Sequence, residues 1–74
     1  MNSFGRYLEL RGELARRGES FKTMAITIGR SYLYVIKCIA GESNFRIDEA
    51  YAALDWMGIP HAELNRVFPK NGIA

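Results

Sequence analysis

The sequence contains a single cysteine, Cys38, and a single histidine, His61, among its 74 residues. One cysteine cannot form a disulfide within the chain, and it cannot supply the thiolate cluster that binds zinc. One histidine without clustered carboxylates provides neither a metal site nor a general base. We therefore expect no enzymatic activity, no metal and no cofactor. Cys38 lies amid Val35 and Ile39, where a free cysteine is expected to be a small buried hydrophobic residue rather than a reactive thiol.

The chain also lacks a long apolar run. Its apolar stretches are far shorter than the ~20 residues of a membrane-spanning helix, and no signal-peptide core follows Met1. These absences predict a cytoplasmic protein with no membrane association. A chain of 74 residues forms one domain, residues 1–74, with a single small core.

Acidic residues are scarce in the first part of the chain. Residues 1–46 carry eight lysines and arginines against four glutamates, whereas residues 47–74 carry two basic and four acidic side chains. The net charge of +2 is therefore unevenly placed. The basic part favours a polyanionic partner, although scattered solubilising charge is the alternative explanation.

Apolar residues recur at helical spacing, and no alternating pattern of useful length predicts a strand. The sequence therefore predicts an all-α fold of five short helices. The first covers residues 4–17, with Ser3 as its cap and Gly18 as its end. The second runs from Ser20 to Gly29, the third from Ser31 to Gly41, the fourth over residues 46–57, and the fifth lies between Pro60 and Pro69.

Each predicted helix has an apolar stripe that would face the core. The stripes are Tyr7, Leu10 or Arg11, and Leu14; Phe21, Met24, Ala25 and Ile28; Val35, Cys38 and Ile39; Ile47, Ala50, Tyr51, Leu54 and Met57; Leu64, Val67 and Phe68.

The second and third helices have the features of a helix-turn-helix motif, over about residues 20–41. Ala25 is small where the two helices would cross, Gly29 can adopt the positive φ of a tight turn, and Val35 can anchor the second helix. Together, at this spacing, these features predict the motif.

The pattern Ala25, Gly29, Ser31, Val35 and Gly41 resembles the Cro/repressor-type helix-turn-helix proteins of bacteriophages. The segment Leu10-Arg11-Gly12 resembles the "LRG" opening of small phage-encoded regulators, and Leu14, Ser20 and Phe21 follow at similar distances. The ending "LDWMGIPHAELNRVF" is similar to theirs as well. The resemblance covers nearly the whole chain and implies a Cro-like, sequence-specific DNA-binding regulator.

On this resemblance, the helix after Ser31 enters the major groove of double-stranded DNA. With Val35 toward the core, steps of about 100° place Leu33 and Lys37 on the opposite side. Lys37 can then reach guanine O6 and N7, while Leu33 or Ile36 can pack on a thymine methyl group. Tyr32 lies at the end of the helix that meets base edges first.

Phosphate contacts are expected near the start of the second helix, where free N–H groups and the helix dipole favour an anion. The candidates are Arg16, Arg17, Ser20, Lys22 and Tyr34. Solvated charges at helix ends are the alternative explanation for the basic residues.

The outward face of the third helix also suits a protein partner, because it has no Arg, Asn or Gln to make bidentate base contacts. Tyr32, Leu33, Tyr34 and Ile36 together resemble the centre of a protein interface. The alternative function is therefore a helix-turn-helix protein that masks a repressor or inhibits a host factor such as a nuclease. The candidates for a homodimer interface are Trp56, Phe68 and Ile73, although Phe68 is an equally good core residue.

Overall fold

The structure is a computed structural model that describes residues 7–73, except for the side chain of Asn71. Within that range the predicted all-α class and the five helices are confirmed. The helices are α1 (Leu8–Arg16), α2 (Phe21–Ile28), α3 (Tyr32–Ile39), α4 (Ile47–Met57) and α5 (Leu64–Val67). Short 3-10 turns cover His61–Glu63 and Lys70–Gly72. Residues 7–73 contain no strand, and their β-type pairing is one isolated parallel bridge between Phe45 and Ile73.

The predicted start of the first helix, with Ser3 as its cap, lies outside the described residues. Within them Tyr7 is in a 3-10 turn, and α1 runs from Leu8. Its end is confirmed, because Gly18 adopts a positive φ of 68° and the N–H of Glu19 donates to the carbonyl of Leu14 at 2.9 Å. A glycine in this conformation reverses the chain after a helix without the steric penalty that a Cβ brings.

Three aromatic rings fill the centre of the core. The ring of Tyr7 lies edge-on to those of Phe45 and Phe68, with centroid distances of 5.9 and 6.4 Å. Phe45 and Phe68 meet in the same way at 5.4 Å. All three side chains are fully buried. Phe68 is therefore a core residue, and its assignment to a dimer interface is wrong, because no part of it is exposed to a second chain.

The apolar stripe of α4 is confirmed for Ala50, Leu54 and Met57, which are buried, but it is wrong for Ile47. The side chain of Ile47 is 43% exposed at the first turn of the helix. The chain enters α4 from Phe45, whose fully buried ring fills the core ahead of that turn. Ile47 is thus left on the solvent side.

Candidate nucleic-acid interface

The predicted pair of helices joined by a three-residue turn is confirmed in α2 and α3. Ser20 caps α2: its hydroxyl accepts from the N–H of Thr23, whose own hydroxyl accepts from the N–H of Ser20. Gly29 has a φ of 74°, which favours glycine, and the N–H of the next residue donates to the carbonyl of Ala25 at 2.9 Å. Ser31 then caps α3 by accepting from the N–H of Tyr34.

The inward face of α3 is as predicted, and so is the exposure of Leu33 and Lys37 on the outward face. Val35, Cys38 and Ile39 are fully buried, and Ala25 is nearly so where α2 packs against α3. Burial raises the pKa of the Cys38 thiol, so the thiolate form is disfavoured. Because Val35, Cys38 and Ile39 are buried, one side of α3 is fixed in the core and the opposite side faces solvent.

The outward face of α3 combines apolar surface with one lysine. Leu33 is 62% exposed and Tyr32 is 49% exposed, Lys37 is exposed, and Ile36 is half-buried. Lys37 forms no ion pair with any residue that the structure describes. The four residues proposed for base contacts thus lie on two adjacent turns of one helix, and each offers at least part of its side chain to solvent.

Tyr34 is held in the fold rather than free at the surface. Its hydroxyl donates to Glu49 Oε1 at 2.6 Å, and the guanidinium of Arg30 lies over its ring, 4.5 Å from the centroid. Burial, together with the bond to Glu49, raises the pKa of the Tyr34 hydroxyl well above its usual range. In this structure Tyr34 therefore positions α3 and does not offer its hydroxyl to a phosphate.

Glu49 joins the motif to α4 and was missed by the sequence analysis. Its buried carboxylate also accepts from Arg30 Nε at 2.5 Å and from the N–H of Arg46 at 2.9 Å. Burial alone raises the pKa of Glu49, but these hydrogen bonds together outweigh burial, so its pKa lies below the usual value. A glutamate three residues after the helix cap is a known signal for the bond to Arg46. No local spacing pattern predicts its contacts with the motif.

The basic residues proposed for phosphate contacts differ in how many hydrogen bonds and ion pairs they already form within the protein. Arg17 donates to the carbonyl of Met57 and to Glu13, so its guanidinium ties α1 to the end of α4. Arg16 is more exposed but also pairs with Glu13 at 2.7 Å. Lys22 lies 5.9 Å from the centroid of the Tyr32 ring and has no ion pair among residues 7–73. Lys22 is thus the freest cation of this set.

Ser20, Phe21, Lys22 and Tyr32 line a shallow open groove where the starts of α2 and α3 meet. Ser20 is exposed there, although its hydroxyl also serves the cap of α2. The sequence from Ser20 to Gly41 contains no aspartate or glutamate, so no carboxylate of the motif itself opposes an anion in this groove. The absence of acidic residues from Ser20 to Gly41 is a sequence signal for this site that helical spacing does not reveal.

Exposed apolar side chains are concentrated in the motif. Among the described residues the large exposed hydrophobic side chains are Leu8, Ile26, Tyr32, Leu33 and Ile47. Three of them belong to α2 and α3, and Ile26, at 75% exposed, was not predicted. The remaining dimer candidates, Trp56 and Ile73, are both half-buried against the core, and neither belongs to the motif.

Comparison with known protein families, curated proteins and solved structures finds no match to this chain. Within residues 7–73, no group of histidine, cysteine and acidic side chains is arranged to hold a metal ion. None of the helices described is both long and apolar enough to cross a membrane. Any assignment of function therefore depends on the geometry of α2 and α3 and on the sequence resemblance.

Proposed function

We propose that the chain is a sequence-specific DNA-binding transcriptional regulator of the phage Cro type, which places α3 in the major groove of double-stranded DNA. The observation that carries the proposal is the outward face of α3. Among residues 7–73, neither its Lys37 nor the neighbouring Lys22 forms an ion pair, and the motif contains no acidic residue. An α-helix fits the major groove, and lysines without carboxylate partners are available to guanine acceptors and phosphates.

The interactions of Tyr34 and Arg30 with Glu49 support this function because they fix α3 relative to α4. A reading helix must keep its orientation when it meets base edges, since small displacements of the side chains weaken discrimination. Tyr34 and Arg30 thus act as positioning residues, and Lys37, Leu33, Ile36 and Tyr32 are the residues that meet the bases.

Lys22 and Arg16 contact phosphates in this proposal. Ser20, at the start of α2, is the third phosphate contact. Lys22 carries most of this role, because Arg16 shares its charge with Glu13. A regulator of this type reads a two-fold site as a homodimer. Of the dimer candidates, Trp56 and Ile73 keep exposed surface for such a contact.

A protein partner on the same face is the second candidate function. The specific observation in its favour is the exposure of Tyr32 and Leu33 on α3, because exposed apolar side chains grouped on small proteins commonly mark interaction sites. The chain would then act as an antirepressor or as an inhibitor of a host nuclease.

The salt dependence of binding to duplex DNA separates the two functions. Fluorescence anisotropy with a labelled random duplex, at low and at physiological salt, measures it directly. A DNA-binding protein loses affinity steeply as salt rises, because each phosphate contact releases counterions. No detectable binding at low salt contradicts the DNA proposal and favours the protein partner.

A further inference from the structure

The motif has no free planar amide or guanidinium side chain for two-point recognition of a base. Residues 20–41 contain no asparagine or glutamine, and their one arginine, Arg30, is paired with Glu49 and lies over the ring of Tyr34. Arginine on guanine, and asparagine or glutamine on adenine, are the contacts that discriminate bases best in the major groove. If α3 reads DNA, the sequence preference must come mainly from another kind of contact.

Leu33 is the side chain best placed to supply that contact. It is 62% exposed, although leucine gains free energy by leaving water. Lys37 lies one turn further along the same row of the helix, since residues four apart are neighbours on its surface. Tyr32 and Ile36 form the adjacent row in the same way. The face therefore pairs one cation with an otherwise apolar strip.

Among the four bases, thymine alone presents a methyl group in the major groove. Building on the proposed function, we infer that α3 selects its sites chiefly through thymine methyl groups, with Leu33 as the principal contact and Lys37 as a single hydrogen-bond donor to guanine. Four residues of helix span about 6 Å. Leu33 and Lys37 therefore reach different but neighbouring base pairs.

Deoxyuridine provides the test, because it keeps the pairing, charge and hydrogen-bonding edge of thymidine and lacks only the methyl group. A duplex is first selected from a randomised library with the wild-type chain, then synthesised again with deoxyuridine at every thymidine. Affinities for both duplexes are measured by fluorescence anisotropy at low salt. The wild-type chain is expected to bind the uracil duplex roughly fourfold more weakly for each methyl group contacted, the factor for exposing one methylene-sized group.

Two leucines with nearly equal exposure give a matched comparison. Leu33→Ala is expected to bind the thymine duplex more weakly and to bind both duplexes with the same affinity. Leu8→Ala removes a side chain of 63% exposure from α1, outside the motif, and is expected to keep the wild-type ratio. Lys37→Ala is expected to weaken binding to both duplexes and to keep the ratio. Circular dichroism confirms that each variant is folded.

The outcomes distinguish the inference from the proposed function. If the wild-type chain binds both duplexes equally, or if the selected sites share no thymine, methyl recognition is wrong and DNA binding stands. If Leu33→Ala keeps the wild-type ratio, the assignment to Leu33 is overturned. If the wild-type chain selects no duplex even at low salt, the proposed function fails and the inference fails with it.

Discussion

The hydroxyl of Tyr34 in α3 donates a 2.6 Å hydrogen bond to the buried carboxylate of Glu49 in α4, fifteen residues further along the chain. The bond connects the outward-facing helix of the motif to the helix that supports it. Since Glu49 also binds Arg30 in the turn before α3, one carboxylate holds both the start and the body of that helix. The orientation of the candidate interface thus depends on a residue outside it.

Removing the Tyr34 hydroxyl is expected to destabilise the fold. Tyr34→Phe leaves the ring in place but deletes a hydrogen bond to a charged acceptor, which corresponds to about 1–3 kcal/mol of unfolding free energy. Urea denaturation followed by circular dichroism measures the change. Tyr32→Phe is the matched control, because Tyr32 lies two residues earlier on the exposed face. If the two variants are equally stable, the bond from Tyr34 does not support the position of α3.

Acid is expected to destabilise the protein through Glu13. Hydrogen bonds from Arg17 and then Arg66 lower the pKa of the Glu13 carboxyl from 4.5 to about 2. Because the folded-state pKa is depressed, the stabilisation is complete above the unfolded value of about 4.5 and is lost as the pH falls toward 2. Glu13→Gln should therefore have a lower free energy of unfolding than wild type at pH 7. The difference between the two proteins should narrow as the pH falls from about 4.5 toward 2.

Chemical denaturation at a series of pH values from 7 to about 2 measures the gap. Glu19→Gln is the control, because Glu19 forms no ion pair with residues 7–73. A gap between Glu13→Gln and wild type that stays constant with pH shows that the arginines around Glu13 do not depress its pKa.

Local sequence signals predicted the parts of the fold that depend on neighbouring residues. The cap at Ser20, the left-handed Gly29 and the buried side of α3 each follow from residues within one or two helical turns. Contacts between distant residues were not predicted. Glu49 reaches Arg30 across nineteen residues, and no periodicity encodes that pairing.

The candidate site was predictable to the same extent. Leu33 and Lys37 were correctly placed on the outward face, because helical geometry alone determines which residues lie opposite Val35. The roles of Arg17 and Tyr34 were not predictable. Each is a polar residue at a helix end or surface position, and its partner, Met57 or Glu49, belongs to another helix.

The packing of α2 against α3 is expected to require a small residue at position 25. Ala25 is 2% exposed at the crossing, so Ala25→Leu must push the helices apart or distort them, at a cost of about 1–3 kcal/mol. Thermal denaturation checks the loss. Ala15→Leu places the same side chain at an exposed position of α1 and should change the stability little. If the melting temperature of Ala25→Leu equals that of wild type, residue 25 is not at a close helix crossing.

Lys22 and Lys37 are expected to act on DNA in different ways. Lys22 lies at the start of α2 beside the Tyr32 ring, where a phosphate contact carries no sequence information. Lys22→Ala should therefore weaken binding to all duplexes alike and reduce the slope of log affinity against log salt by about one unit. Lys37→Ala should instead cost about 1–3 kcal/mol on the selected site and relax the sequence preference.

Anisotropy titrations of both variants, on the selected duplex and on a random one at several salt concentrations, distinguish the two effects. Lys70→Ala is the control, because it removes an exposed lysine outside the motif and should leave both quantities near wild type. All three positions are exposed, so the variants should unfold at the wild-type temperature. If Lys37→Ala weakens binding to both duplexes by the same factor, Lys37 contacts the DNA backbone rather than a base. If neither Lys22→Ala nor Lys37→Ala changes the affinity, α3 does not lie in the groove, and its apolar face is free for a protein partner.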